Sequence, residues 1–441
     1  MSLHTAPYKG ARDFYPEDLR VRDYIFKVWE QTVKQFGYQK YDAPLIEPIE
    51  LYQAKTSEEI VNEETYNFTD RGGRKVTIRP EMTPTVSRMV AGRRQELAYP
   101  LRLYSIPNVW RYERPQRGRL REHWQLNVDL FGVDNPSADH EIINLADAIM
   151  QGFGANRKDY TIRLNSRQLM NYILKDYFKL DDTEISTIIK LIDKKPKMDY
   201  AEFTALLSAS ISPSQRDDEQ IDERLLVLLE AHSLDELPPE LQKHPSALQL
   251  LDVIEALKSQ GITNVMFDMS IIRGFMYYTD IVFEVFDNDP SNNRSIFGGG
   301  RYDGLVAQFG VEPLATVGFG MGDVVINDFL ITHGLLPKLS TDVHACMVLV
   351  GNVYAKALPI IAKLRQEGVH LSVDSTDRKL DKKLKNVDKS GVRYAIIMGD
   401  GELADDRLTL KDMHTGKQEK HSLERTITIV MDSLEDEILN Y

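Results

Sequence analysis

Between Trp110 and Gly132 the chain reads WRYERPQRGRLREHWQLNVDLFG, and five arginines crowd into it: Arg111, Arg114, Arg117, Arg119 and Arg121. They stand out in a chain whose formal net charge is -13 at pH 7. A guanidinium is always charged and offers a planar fork of donors that matches phosphate oxygens, so such a group points to a polyphosphate ligand. Apolar residues alternate before the cluster (Leu101, Leu103) and after it (Leu126, Val128, Leu130). Alternation on both sides of a Pro/Gly turn predicts two antiparallel strands joined by a loop at Pro115–Gly118. That loop would lift the guanidinium groups off a sheet and converge them on one spot. On the returning strand Gln125, Asn127 and Asp129 fall at period two, so their side chains share a face. Polar side chains beside an arginine cluster predict a pocket floor; a plain basic surface loop is the competing reading of the arginines.

A carboxylate comes next. Arg79-Pro80-Glu81-Met82-Thr83-Pro84 follows a predicted hairpin, Thr65–Asp70 and Lys75–Arg79 around Arg71-Gly72-Gly73. Pro84 suits the first turn of a helix and Thr83 its N-cap, which would hold Glu81 at a strand-to-helix corner. Most Glu side chains are solvated. Further along, Arg273-Gly274 precedes the pair Tyr277-Tyr278, and Phe297–Leu305 reads FGGGRYDGL. The glycines permit close backbone approach, and tyrosine hydroxyls need partners when buried. Arg301 and Asp303 are expected to brace the site.

Other elements must position these groups. Glu17–Phe36 has helical apolar spacing with Gly37 as its stop, and Tyr41–Pro48 reads as a short strand punctuated by Pro44. A helix over Asp139–Phe153 and a strand over Tyr160–Leu164 come before Ser166–Gln260, which is helical in pattern. The β pattern resumes at Val265 and gives a strand at Ile281–Phe286; Val317–Gly322 then opens an apolar helix through Leu330. After a linker at Leu336–Asp342, strands and helices alternate to Met398, which predicts an α/β domain with a parallel or mixed sheet. Within it Asp377–Lys385 is strongly basic, as an RNA contact or a solvated helix would be. The 441 residues suffice for two to four domains. One cysteine, Cys346, excludes an intramolecular disulfide and a CxxC metal site, and no zinc pattern is present. A reducing, cytoplasmic setting is expected, since no signal peptide and no bilayer-spanning run are found.

On these residues the chain resembles the class II aminoacyl-tRNA synthetases, and the histidyl enzymes among them, from Gly10 to about Ser422. The arginine-bearing hairpin is similar to motif 2, the helix with the Pro-bearing strand to motif 1, and Val317–Gly322 to the start of motif 3. Arg273–Thr279 and Phe297–Leu305 resemble two histidine-specific signatures. The resemblance implies an α/β fold: an antiparallel catalytic sheet flanked by helices over 1–335, a helical insertion at about 166–260 near the tRNA acceptor arm, and an α/β anticodon-binding domain over 342–441. It implies a homodimer built through motif 1 that activates histidine with ATP and Mg2+ and passes it to tRNA(His), with no membrane partner.

The resemblance also assigns residues. Glu81 and Thr83 would hold the α-ammonium of histidine, and Gln125, Asp129, Tyr277 and Tyr278 its amine and ring. Asp129 stands where many bacterial relatives have Glu. Arg111 would hold the α-phosphate, with Glu113, Arg119 and Arg121 on the nucleotide and His123 stacked on adenine. Arg273 would neutralise charge at the reacting carboxylate and phosphate, which makes Arg111 and Arg273 the catalytic pair. One position departs: where motif 3 carries an arginine for the γ-phosphate, this chain has Val325. Two other functions fit the same resemblance. One is the regulatory paralogue that assists ATP phosphoribosyltransferase, which generally lacks the C-terminal domain. The other is a tRNA-sensing module that no longer reacts.

Overall fold

The computed structural model describes residues 4–53, 64–195, 198–217, 220–272, 277–292 and 294–438. The chain forms two compact units, Met1–Asp13 with Val21–Leu336, and Phe14–Arg20 with Pro337–Tyr441.

Helix α1 (Pro16–Gln35), which belongs to the first unit from Val21 onward, buries Ile25, Val28, Trp29 and Val33, the apolar stripe that its spacing predicts. Gly37 follows at φ +81°, a conformation glycine adopts without strain. Of the expected strand at Tyr41–Pro48 only the last three residues are strand, and a separate two-residue strand precedes it. That preceding strand, β1 (Gln39–Lys40), pairs in parallel with β5 (Leu101–Ser105). Strand β2 (Ile46–Pro48) pairs with β4 (Lys75–Ile78), whose other neighbour is β3 (Tyr66–Thr69). Pro44 lies between β1 and β2; it cannot donate to a ladder, and the chain changes sheets there.

The main sheet is built around β7 (Glu122–Phe131) and has the order β1-β5-β7-β12-β11-β10-β8-β9, with β6 (Asn108–Trp110) paired to the outer end of β7. The remaining strands are β8 (Tyr160–Ser166), β9 (Val265–Phe267), β10 (Ile281–Asp287), β11 (Ser295–Arg301) and β12 (Thr316–Gly322). Contacts from β5 through β8 are antiparallel, and the β8–β9 pair is parallel. The glycine run Val317–Gly322 is therefore strand, and the helix α4 (Asp323–Thr332) starts directly after it. Helix α2 (Thr83–Gly92) leaves the hairpin corner, and α3 (Ser137–Gly152) packs Ile142, Leu145, Ile149 and Met150 into the main core. Residues 167–259 are mostly helical; the helix at Asp182–Lys194 starts in a capping box between Asp181 and Glu184.

The second unit has a mixed five-stranded sheet of order β14-β13-β15-β16-β17. Strands β13 (Ala345–Leu349), β14 (Leu371–Asp374) and β15 (Tyr394–Met398) are parallel; β16 (Leu408–Asp412) and β17 (Gln418–His421) run antiparallel. Helices α5 (Tyr354–Gln366) and α7 (Leu423–Ile438) pack with Met347, Leu349, Ile396 and Met398. Helix α6 (Leu380–Lys389) packs on the other face, where Val387 meets Val348 and Ala395.

Candidate active site

The three polar residues of β7 do share a face, and register explains why that face is open. Asp129 stands opposite Gly318, and Gly318 opposite Gly300; Asn127 stands opposite Gly320, and Gly320 opposite Gly298. Glycines on the two central strands leave room for neighbouring side chains to lie flat. A Cβ at Gly320 would come within 2.2 Å of the Gln125 amide nitrogen. One at Gly318 would lie 2.6 Å from Asp129 Oδ1 and 3.2 Å from the Tyr302 hydroxyl, and one at Gly300 would lie 3.0 Å from the Tyr278 ring. Over this glycine floor Gln125 Nε2 donates to Asn127 Oδ1 at 2.8 Å.

Asp129 is 1% exposed, and the Tyr302 hydroxyl donates to its Oδ1. Its Oδ2 is buried with no hydrogen-bond partner among the described residues. Burial raises this carboxyl to about 7, against the pull of the Tyr302 hydroxyl. An unpaired buried acceptor costs free energy unless a ligand donates to it. The rings of Tyr277, Tyr278 and Tyr302 cluster above, with centroids 4.9 to 6.5 Å apart.

Glu81 is no solvated carboxylate. It is 2% exposed, and Tyr277 donates to its Oε2 at 3.1 Å. Its corner is fixed from two sides: Arg79 donates to the carbonyls of Asn108 and Ala43, and Arg111 Nε donates to the carbonyl of Pro80 at 2.9 Å. Thr83 does not cap α2. It is the first helical residue, buried, and the cap position is Met82 without a side-chain bond. Pro84 sits in the first turn as expected, and Thr83 moves one place inward with it.

The loop opens between Trp110 and Glu122 as the alternation predicts, closed by a Gln116–Arg119 bridge. Its arginines do not all converge. Arg111 lies beside Glu113 at 4.0 Å, and Arg119 pairs with the other oxygen of Glu113 at 3.2 Å. Arg121 donates to the Glu113 carbonyl and to the Tyr8 hydroxyl, with its guanidinium 3.9 Å from the Tyr112 ring centroid. Arg117 instead turns to Asp328 of α4 at 2.9 Å, and Arg114 is exposed. A loop fixes no side-chain direction by period, so sequence spacing could not separate Arg117 from the rest. His123 is partly buried; burial first, then Arg111 and Arg12, lower it to about 3, so the ring is neutral at physiological pH. Arg273 lies outside the described residues.

Two further participants have no role assigned from sequence, although Tyr302 stands within the FGGGRYDGL stretch. Tyr302 lies just past the end of β11, next to Arg301, which braces the floor as expected: it pairs with Asp139 at 2.5 Å and donates to the carbonyls of Val133 and Asn135. Asp303 accepts from the Thr316 amide at 2.8 Å. Arg12, in the segment ahead of α1, pairs with Asp323 at 2.7 Å.

Comparison with known proteins fits this arrangement. A family model described as histidyl-tRNA synthetase matches residues 10–322, and one described as anticodon binding domain matches residues 344–432. The histidine--tRNA ligase of Leptospira biflexa is 41% identical over 434 residues, 98% of each chain. That of Thermoplasma volcanium is 40% identical over 413 residues, 93% of this chain and 95% of the other. The crystal structure of histidyl-tRNA synthetase from Nostoc sp. PCC 7120 superposes with a TM-score of 0.79 at 22% identity, covering 98% of this chain and 100% of that one. A Bacillus halodurans structure described as an ATP phosphoribosyltransferase regulatory subunit/histidyl-tRNA synthetase superposes with a TM-score of 0.71 at 23% identity, over 90% of this chain and 100% of that one. The two structural likenesses bear on the fold alone.

Proposed function

Because the chain belongs to the histidyl-tRNA synthetase family, we propose that it works as a histidine--tRNA ligase. A carboxylate oxygen of histidine attacks the α-phosphorus of ATP; the bond to pyrophosphate breaks and histidyl-adenylate forms. A ribose hydroxyl of the terminal adenosine of tRNA(His) then attacks the adenylate carbonyl, and AMP leaves. Neither step needs a protein nucleophile, since positioning and charge neutralisation suffice. The observation that carries this proposal is the match across both units, to the synthetase model and the anticodon-binding model, with ligase relatives 41% identical over 98% of the chain.

The residues divide by chemistry. Glu81, with Thr83, takes the α-ammonium, and its burial beside Tyr277 supports that assignment. Gln125, Asp129, Tyr277 and Tyr278 hold the amine and the imidazole, whose ring N–H would meet the unpaired Oδ2 of Asp129. Arg111 takes the α-phosphate, Glu113, Arg119 and Arg121 the nucleotide, and neutral His123 the adenine face. Arg273 neutralises charge at the reacting centre. Mg2+ is implied by the ATP, whose phosphates would carry it.

Leu45, Ile46 and Phe68 expose apolar surface around the three-stranded sheet, which supports a homodimer contact there. No helix among the described residues is long and apolar enough to cross a membrane. A tRNA-charging activity belongs with protein synthesis, and on that ground we propose that it works in the cytoplasm. The regulatory and tRNA-sensing alternatives are not favoured, because the full-length relatives are named as ligases. Histidine-dependent pyrophosphate–ATP exchange, followed by charging of tRNA, tests the proposal. Exchange should appear with histidine and vanish in Arg273→Ala. A wild-type protein that binds tRNA and supports no exchange would overturn it.

A further inference from the structure

Val325 cannot hold a phosphate, and its side chain is committed elsewhere. It is half-buried against the main core, and a Cβ at Gly118 of the arginine loop would lie 3.7 Å from its Cγ2. Yet the first turn of α4 does have a cation, brought from the other end of the unit. Arg12 donates to Asp323 Oδ2 at 2.7 Å, and Asp323 Oδ1 accepts the Trp124 amide at 2.9 Å. One buried carboxylate thus ties Arg12 both to the turn that contains Val325 and to β7 one residue from His123. Gly322, immediately before that turn, would bring a Cβ to 3.8 Å from the His123 ring.

The segment that bears Arg12 is itself clamped. The Gly10 carbonyl accepts the amides of both Arg121 and Glu122, at 2.9 and 3.1 Å. Gly10 lies at φ +86°, and a Cβ there would come within 2.7 Å of the Arg121 side chain, so only glycine allows this approach. Arg12 keeps 27% of its side chain exposed while Asp323 keeps 3%, so the pair faces an opening from its cationic side. Arg12 is also close enough to His123 to contribute to keeping that ring neutral.

We propose that Arg12 binds the terminal phosphates of ATP, supplying from the N-terminal segment the cation that Val325 cannot. The proposal rests on the reading that this site takes ATP. Asp323 orients the planar fork, and the fork suits phosphate oxygens.

Equilibrium binding of ATP and of AMP to the full chain tests it, because AMP keeps the adenine and α-phosphate but lacks the two outer phosphates. Arg12→Ala should weaken ATP by ~10- to 100-fold, the range of a missing charge-assisted hydrogen bond, and leave AMP unchanged. Arg12→Lys should recover part of the ATP affinity, since it keeps the charge without the fork. Unchanged ATP affinity in Arg12→Ala would overturn the proposal. Equal weakening of ATP and AMP would also overturn it, and would make Arg12 a brace for α4 alone. A wild type that binds ATP with the predicted Arg12 dependence but lacks histidine-dependent exchange would sink the ligase reading and leave this contact standing.

Discussion

The Tyr277 hydroxyl donates to Glu81 Oε2 at 3.1 Å, across 196 positions of sequence. A buried carboxylate held by a phenol is poised for a cation, and the α-ammonium of histidine supplies one. Glu81→Gln should therefore raise the histidine KM in pyrophosphate exchange by ~10- to 100-fold, because a charge-assisted contact becomes a neutral one. Tyr277→Phe should cost about tenfold or less. The ATP KM should hold in both variants; if it rises in step with the histidine KM, Glu81 is bracing the corner and not binding substrate.

Asp129 makes stability depend on pH. Its carboxyl ordinarily titrates near 3.8 and is raised to about 7 in the folded chain. Below 3.8 it is protonated in both states and costs nothing. As pH rises toward 7 the unfolded chain ionises first, so the folded state loses stability, on the order of 4 kcal/mol in full. Asp129→Asn removes that titration. Melting temperatures of the two proteins, compared from pH 4 to pH 8, should diverge in favour of the variant and stop diverging above about pH 7. Parallel curves would mean that the carboxyl ionises freely, with solvent or a buried partner at hand.

Gly318→Ala probes the floor. The new methyl would lie 2.4 Å from the Val128 carbonyl and 2.6 Å from Asp129 Oδ1, so the strand pair must shift. Overpacking of this kind costs ~1–3 kcal/mol. A folded Gly318→Ala protein should lose histidine affinity more than ATP affinity, as read from the two KM values. Normal histidine KM with a normal melting temperature would show that Asp129 and Tyr302 move aside freely.

The basic helix of the second unit separates into two roles. Arg378, Lys379, Lys382 and Lys385 are exposed, whereas Lys383 is 2% exposed and donates to the carbonyls of Leu349 at 2.6 Å and Asp374 at 3.3 Å. Neutralising the four exposed cations should weaken tRNA binding and flatten its dependence on salt, with a slope change of about 0.7–0.9 for each phosphate that is no longer neutralised. Lys383→Met should instead lower stability by ~1–3 kcal/mol by stranding two carbonyls. An unchanged salt slope in the fourfold variant would make the segment a solvated helix face.

What could be read from sequence followed what has a period. The β7 face of Gln125, Asn127 and Asp129 was legible because a strand alternates strictly, and the helices of the second unit because their apolar residues recur at three and four. The special conditions were not. Lys383 shares a helical face with Leu380, Leu384 and Val387, which could have marked it as buried, but its carbonyl partners come from the ends of β13 and β14. Tyr302 finds its acceptor 173 positions away, and Arg12 sits in a segment with no regular spacing. Thr83 was misplaced by one residue because Pro84 fits either of the first two helical positions.

The facing glycines of β11 and β12 bear on how such a pocket can be altered. Gly298 with Gly320, and Gly300 with Gly318, make its base out of main chain, and main chain offers a mutagenesis library nothing to vary. A change at Gly300, Gly318 or Gly320 adds bulk where Tyr278, Tyr302 and Gln125 already lie. Retuning toward a larger or differently shaped amino acid would have to proceed from the walls, by shortening Tyr278 or Tyr302 or by exchanging Asp129. Selectivity in this chain is therefore evolvable from the sides and closed to change from beneath.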